Sequence, residues 1–183
     1  MKTPESWKHQ ITAGAKMYAE ALVEQLTGNA SSVSLGWVST TYIVTALSQK
    51  MSLRQQSKSE VIAETIPVIL ELERNDLLDA ILPIIKRCDL NGRRDQLSGV
   101  LATEEMNFVA DMMTQLTNRC FFHHQRTALN LMDVATIWLL IGVACFIYHK
   151  QVTMTDAKSL LIEYIKTVPF EQITTVPLNS TLN

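Results

Sequence analysis

Residues Val134–Tyr148, VATIWLLIGVACFIY, form the most apolar run of the chain and decide how its fold is interpreted. The fifteen residues contain no charge and no proline, and the run is closed by Asp133 on one side and by His149-Lys150 on the other. A helix that is apolar all the way round must be hidden, either in a protein core or in a bilayer. The run therefore predicts a buried central helix over about 127–150.

The composition favours a compact helical domain. The chain has 183 residues, of which 47% are apolar and 19% charged, so it can build a substantial core and does not have the composition of a disordered chain. Only six glycines and five prolines interrupt it, and eight methionines with few aromatic residues are typical of helix packing. The net charge of −2 supplies no global field that would attract nucleic acid or an anionic membrane.

Cysteine usage and the N-terminal residues indicate a cytoplasmic, reducing location. The three cysteines, Cys88, Cys120 and Cys145, are an odd number and do not form a disulfide framework. The opening residues, MKTPESWKHQ, lack the apolar stretch of a secretory signal.

Hydrophobic periodicity predicts seven or eight helices. The first is the clearest, because Thr3 can cap it, Pro4 suits its first turn and Gly28 can end it. Residues 35–51 contain many β-branched side chains, yet their apolar positions also fit a helical face, so we favour helix there. The other predicted helices cover residues 60–73 with Pro67, 76–88 with Pro83, 94–101, 104–120, 127–150 and 155–168.

These helices predict an all-α protein: a compact single-domain bundle of seven or eight helices around the apolar helix at 127–150. No stretch of the sequence has the composition of an interdomain linker. Residues 1–168 are assigned to the helical domain, and residues 169–183, rich in Thr, Ser and Asn, to an irregular or flexible C-terminal tail.

Basic residues cluster at two places, and an acidic segment separates them. Within residues 60–85, six acids stand against one base. This segregation predicts two anion-binding patches, at 50–58 and 86–94, and makes nucleic-acid binding an alternative function. A solvated helix face with local ion pairs to Asp89 and Asp95 explains the pattern equally well. No glycine-rich loop or aromatic platform accompanies the basic residues, which are Lys50, Arg54, Lys58, Lys86, Arg87, Arg93 and Arg94.

A zinc site is the strongest metal hypothesis, and the sequence argues against it. Two Cys/His pairs have a spacing of four residues, which can place each pair on one helix face, and four such ligands suit tetrahedral zinc. If the helices are antiparallel, however, the pairs lie roughly 20–30 Å apart. We therefore predict no metal and no cofactor. The residues concerned are Cys120, His123, His124, Cys145 and His149.

No catalytic motif occurs in the sequence, and the chain is not expected to be an enzyme. Nucleophilic elbows, phosphate-binding loops, dinucleotide-binding loops and zinc-protease motifs are all missing. Cys120 has histidines only as neighbours in sequence, which does not by itself make a nucleophile.

Membrane insertion through 128–149 is a further alternative. A span requires roughly 20 apolar residues, and extending the run to that length would bring Asn130 and Asp133 into the bilayer at considerable cost. The amphipathic helices elsewhere also need a core to pack on. A membrane location is therefore not expected.

The sequence as a whole favours a non-enzymatic protein–protein interaction or assembly module, an adaptor, regulator or structural subunit, that binds through a helical face. The partner is another protein or a second copy of the chain. Segregated charge and the Met-rich helix at 104–120 suit such a surface, because methionine adapts to varied partners.

Overall fold

The computed structural model describes residues 3–28, 34–88, 104–122 and 129–173. These residues are 88% helical and form seven α-helices and no strand, which confirms the predicted all-α bundle. The helix predicted at 94–101 lies outside the described residues. The seven helices are α1 (Pro4–Gly28), α2 (Leu35–Arg54), α3 (Lys58–Leu70), α4 (Asp76–Ile85), α5 (Glu104–Thr117), α6 (Leu131–Lys150) and α7 (Met154–Thr167).

The apolar helix α6 is enclosed by the rest of the chain, as its sequence predicts. Trp138, Leu140 and Phe146 are at most 3% exposed. The sequence did not reveal that α2 is a second central helix. Residues on all sides of α2 are buried, and its contact with α6 is the most extensive between any two of the described elements.

A glycine allows the two central helices to approach closely. A Cβ atom at Gly142 would lie 2.7 Å from Cγ1 of Ile43 and 3.0 Å from the Ile43 backbone nitrogen. At the same crossing, the Ser39 hydroxyl donates a 2.7 Å hydrogen bond to the Gly142 carbonyl oxygen. The crossing therefore needs a residue without a side chain at position 142.

The outer helices flank this central pair, and ion pairs mark how they are oriented. Lys8 of α1 pairs with Asp76 of α4 at 2.5 Å, and Glu20 of α1 pairs with Arg87, just beyond α4. From the first ion pair to the second, the residue number increases along both helices, so α1 and α4 run parallel.

Two further ion pairs orient α3 and α7. Lys58 of α3 pairs with Glu171, which follows α7, at 2.9 Å, and Lys158 of α7 pairs with Glu73, which follows α3. Residue numbers rise along one helix as they fall along the other, so α3 and α7 run antiparallel.

Capping residues set the start of several helices. Ser57 and Glu60 form a capping box at α3, and Asn130 and Asp133 form another at α6. The predicted start of the apolar helix near residue 127 is therefore wrong, because the helix begins at Leu131. Asn130 accepts from the Asp133 backbone N–H, and Asp133 accepts from the Asn130 backbone N–H, as an N-terminal box requires.

The two proline-containing helices are short. Pro67 lies inside α3, which ends at Leu70, and Pro83 lies inside α4, which ends at Ile85. Each helix ends within one turn of its proline, and both are shorter than the sequence suggested. A one-turn 3-10 helix at Leu72–Arg74 continues from α3.

The packed part of the chain continues beyond the predicted boundary at residue 168. A 3-10 turn at Phe170–Gln172 follows α7, and Phe170 is fully buried. The Ser48 hydroxyl of α2 donates to the Ile173 carbonyl oxygen at 3.1 Å. The predicted tail thus begins no earlier than residue 174, and residues 174–183 lie outside the described part.

Burial on two outer helices follows their packing. On α7, Leu160 is 44% exposed, whereas Ala157 lies in the core. Met112 and Met113 of α5 are adjacent and both are buried, because α5 packs against α2 and α1 at once.

Candidate functional site

The predicted basic stripe of Lys50, Arg54 and Lys58 does not lie on one helix. Arg54 is the last residue of α2, because Gln55 adopts a left-handed backbone conformation with φ of 53° and caps the helix. Lys58 is the first residue of α3. The three residues therefore surround a corner between two helices. We call residues 50–64 the α2–α3 corner.

Glu64 engages Arg54 at the α2–α3 corner. Arg54 Nη1 lies 2.9 Å from Glu64 Oε2, and Gln56 Nε2 donates to Glu64 Oε1 at 2.7 Å. Each oxygen of the Glu64 carboxylate therefore accepts a hydrogen bond. Arg54 and Glu64 are each about half exposed, so this pair contributes little to the free energy of folding.

Lys50 is half-buried beside this pair. Burial is the main cause that lowers the pKa of its amine, to about 8, and the charge of Arg54 acts in the same direction. Glu64 opposes the shift without reversing it. No ion pair of Lys50 is found in the described residues.

Lys58 holds the C-terminal turn against α3. Its ammonium lies 2.9 Å from Glu171 Oε2 and 5.3 Å from the centre of the Phe170 ring. The hydrogen bond from Lys58 keeps the pKa of Glu171 below its usual range. Lys58 is thus used within the fold, although the sequence placed it on an anion-binding surface.

The second predicted basic cluster is only partly described. Arg87 pairs with Glu20 of α1, and Lys86 is exposed at the end of α4. Arg93 and Arg94 lie outside the described residues, as do Asp89 and Asp95. Three of the predicted binding residues, Arg54, Lys58 and Arg87, are therefore engaged by acids of the same chain.

Cys88 and Cys145 are buried, and Cys120 is half-buried. Burial raises the pKa of Cys120 and raises that of Cys145 further. No disulfide joins the cysteines, and within the described ranges no three His, Cys, Asp or Glu side chains gather as metal ligands. His123 and His124 fall outside those ranges, so the four-ligand hypothesis is not tested.

A buried polar network joins four helices, and sequence reasoning missed it. Trp138 Nε1 donates to the Thr117 hydroxyl at 3.2 Å, and that hydroxyl donates to the Tyr18 oxygen at 3.5 Å. The Tyr18 and Tyr42 hydroxyl oxygens are 2.7 Å apart, and the Tyr18 ring stacks on Phe121. These aromatic residues look like ordinary core positions in sequence, so their polar atoms gave no signal.

The network is electrically neutral. Burial raises the pKa values of Tyr18 and Tyr42 well above the ordinary value of a phenol. Neutral groups that satisfy one another in the core fix a unique packing arrangement. The network therefore acts as an internal connection between α1, α2, α5 and α6.

One described helix, α6, is long and apolar enough to cross a membrane by length and composition. Within the structure, 78% of its most apolar stretch is buried. A core helix meets the same length and hydropathy criteria as a membrane span, so α6 gives weak evidence for a membrane location.

The described surface carries several large apolar side chains. Those more than 40% exposed are Trp7, Met17, Leu70, Phe108 and Leu160. Isolated apolar side chains are normal on a protein surface, so burial alone does not single one out.

A shallow depression of about 550 Å³ lies between α3 and α7. Its lining includes Leu70 and the ion pair of Glu73 with Lys158. The lining also includes Glu71 and Arg74, so acids and bases are equal in number and the depression carries no excess charge to attract a ligand.

Comparison of the chain with protein-family models, curated proteins and solved structures found no match.

Proposed function

We propose that the chain is a non-enzymatic interaction or assembly module that binds another protein through the outer face of α5. The observation that supports this proposal is Phe108, an aromatic side chain that is 43% exposed on the outside of that helix. Aromatic residues are enriched at protein interfaces, where a few of them supply most of the binding energy.

The residues around Phe108 define the chemistry of the partner. Glu104, Glu105 and Asp111 are exposed, and a helix places them on the same side as Phe108, since they lie four before, three before and three after it. α5 contains no basic residue between Glu104 and Thr117. The proposed partner therefore presents an apolar pocket with basic residues at its rim.

The methionines of α5 play a different part from the one expected. Met106, Met112 and Met113 are at most 7% exposed, so they pack inside the protein and do not form an adaptable surface. The proposed binding face is consequently smaller and more acidic than the sequence suggested.

The acidic residues of the α5 face disfavour self-association through this face. Two copies that met through the same α5 face would bring like charges together, which is unfavourable. A second copy could therefore occupy this face only through a different, basic surface. The proposal favours a different protein as the partner.

The proposed non-catalytic role is supported by the chemistry of the side chains that could act in catalysis, which are thiols and phenols. The thiols of Cys120 and Cys145 have raised pKa values, whereas a cysteine nucleophile needs a lowered one. The tyrosines of the buried network are likewise held neutral. A non-catalytic role is the function these properties support best.

A photo-reactive amino acid at position 108 tests the proposal, and position 17 provides a matched control. Phe108 and Met17 are equally exposed, at 43% each, and they lie on different helices. Irradiation in cells is expected to give a defined protein adduct at position 108 and none of equal yield at position 17. Equal adducts at both positions, or none at position 108, would contradict the proposal.

The two alternatives make different predictions. Nucleic-acid binding predicts affinity that falls steeply with salt and is lost when Arg93 and Arg94 become glutamate. Membrane insertion predicts insolubility without detergent. Light scattering at two salt concentrations, with and without added nucleic acid, separates both from the interaction module, whose particle size depends on its protein partner.

A further inference from the structure

We infer that the α2–α3 corner binds a compact oxyanion of the phosphate or sulfate class between Lys50 and Arg54. The inference is independent of the protein-binding role proposed for α5, because it concerns other helices and another class of ligand.

The first support is the arrangement of charges. Lys50 and Arg54 are four residues apart on α2, so the helix places them on the same side. Glu64 of α3 is the acid that engages Arg54 there. Lys50 and Arg54 are thus two neighbouring cations that share one carboxylate, that of Glu64.

The second support is the hydrogen bonding of the Glu64 carboxylate. Arg54 binds Glu64 through Nη1, and Gln56 occupies the other oxygen of the same carboxylate. A guanidinium has five N–H donors in a planar fork, and among the described residues Arg54 uses only one of its nitrogens, Nη1, for Glu64. Its other donors can serve another acceptor. An oxyanion accepts from such a fork in bidentate fashion.

The third support is the position of Lys50. A charged amine that is partly removed from water is unfavourable unless an opposite charge accompanies it. The charges that shift the pKa of Lys50 are those of Arg54, on its own helix, and Glu64, on α3. Both oxygens of Glu64 already accept hydrogen bonds, from Arg54 and from Gln56. A bound anion would supply the missing negative charge. The lowered pKa of Lys50 agrees with this view.

The geometry also limits the size of the ligand. Lys50 is half-buried, and burial is the main cause that lowers the pKa of its amine, so the amine itself is partly removed from water. A single phosphate or sulfate group can approach such an amine, whereas a larger anion reaches it only through a protruding oxyanion.

The inference is tested by titrating the protein with inorganic phosphate at constant ionic strength, with chloride as the balancing anion. Binding is followed by calorimetry and by the NMR signal of the Lys50 side chain. Phosphate is expected to bind and to move the titration midpoint of Lys50 upward from about 8, because a neighbouring anion favours the charged amine.

Three variants make the result specific. Lys50→Met is expected to weaken phosphate binding by about tenfold, the effect of one charge-assisted contact. Lys16→Met, at an exposed lysine of α1, is expected to leave the affinity within about twofold. Glu64→Gln is expected to tighten binding, because it removes the competing carboxylate from Arg54.

Glu64→Gln also keeps the test decisive if Lys50→Met folds poorly, since its expected effect has the opposite sign. The inference is overturned if phosphate does not bind above the chloride background. It is equally overturned if Lys16→Met and Lys50→Met weaken binding alike, or if Glu64→Gln leaves the affinity unchanged.

Discussion

The indole Nε1 of Trp7 donates a 3.0 Å hydrogen bond to Oδ1 of Asp133, 126 residues further along the chain. The same carboxylate accepts from the Asn130 backbone N–H through Oδ2 and completes the N-terminal cap of α6. Asp133 is only 7% exposed. One side chain therefore caps the central apolar helix and fastens the beginning of α1 to it.

Replacing Trp7 with Phe is expected to lower the free energy of unfolding by about 1 kcal/mol, because it removes a hydrogen bond to a charged acceptor at a partly exposed site. Urea denaturation measures the change. In a double-mutant cycle with Asp133→Ala, most of the effect of Trp7→Phe should disappear. Strictly additive effects of the two substitutions would show that the contact does not contribute to stability.

Gly142→Ala is expected to destabilise the protein by about 2 kcal/mol, because the new methyl group would meet Ile43 and the Ser39 carbonyl oxygen at the α2–α6 crossing. Gly28→Ala is the matched control, since no atom of the described residues lies within 4 Å of a Cβ atom at that position. The control should change stability by no more than about 1 kcal/mol. Thermal and urea unfolding of both variants give the comparison. Equal effects would refute the close crossing.

Thr117→Val is expected to cost about 2 kcal/mol, because it leaves the buried Trp138 N–H without its acceptor. Thr114→Val, the same substitution on the exposed side of α5, should cost at most about 0.5 kcal/mol. Tryptophan fluorescence during urea unfolding reports both. A Thr117→Val protein as stable as its control would mean that the network is not satisfied as described.

Lys50 makes the stability depend on pH in a defined direction. The pKa of its amine is about 8 in the folded protein and 10.5 for a lysine in water, so between these values the unfolded chain binds more protons than the folded one. The free energy of unfolding contributed by Lys50 therefore rises as pH increases from about 8 to 10.5. Below that window the amine is charged in both states, and the unfavourable burial of its charge is fully present.

Lys50→Met should remove this dependence. The difference in free energy of unfolding between Lys50→Met and the wild type, measured by urea titration at several pH values, is expected to favour the variant most at neutral pH and to shrink as pH rises. Other groups titrate in the same range but cancel in the difference. A difference that stays constant with pH would show that the Lys50 amine is not shifted in the folded protein.

Several features of the fold could be predicted because they depend on neighbouring residues. Thr3 and Pro4 mark the start of α1, and the apolar run from Val134 predicts a buried helix whatever surrounds it. The start of α6 was missed because Asn130 and Asp133 stand inside a stretch that already looks helical. A capping box is visible in such a stretch only when its spacing is sought.

Other features depend on tertiary contacts and could not be predicted. The central place of α2 results from its crossing with α6 at Gly142, which its own pattern does not specify. The basic residues are spaced as on one helix, but the left-handed Gln55 separates Lys58 from Lys50 and Arg54. Their acidic partners are close along the chain for Arg54 and distant for Lys58 and Arg87, so sequence alone could not show that these charges are engaged.

The central claim is that α6 is enclosed by the helices of its own chain. Amide hydrogen exchange of the purified protein in detergent-free buffer, followed by mass spectrometry, tests it most directly. Peptides from α2 and α6 are expected to exchange more slowly than those from α1, α5 and α7, because only opening of the whole core exposes them. Rapid exchange across Val134–Tyr148, or a protein that stays folded only in detergent, would contradict the claim.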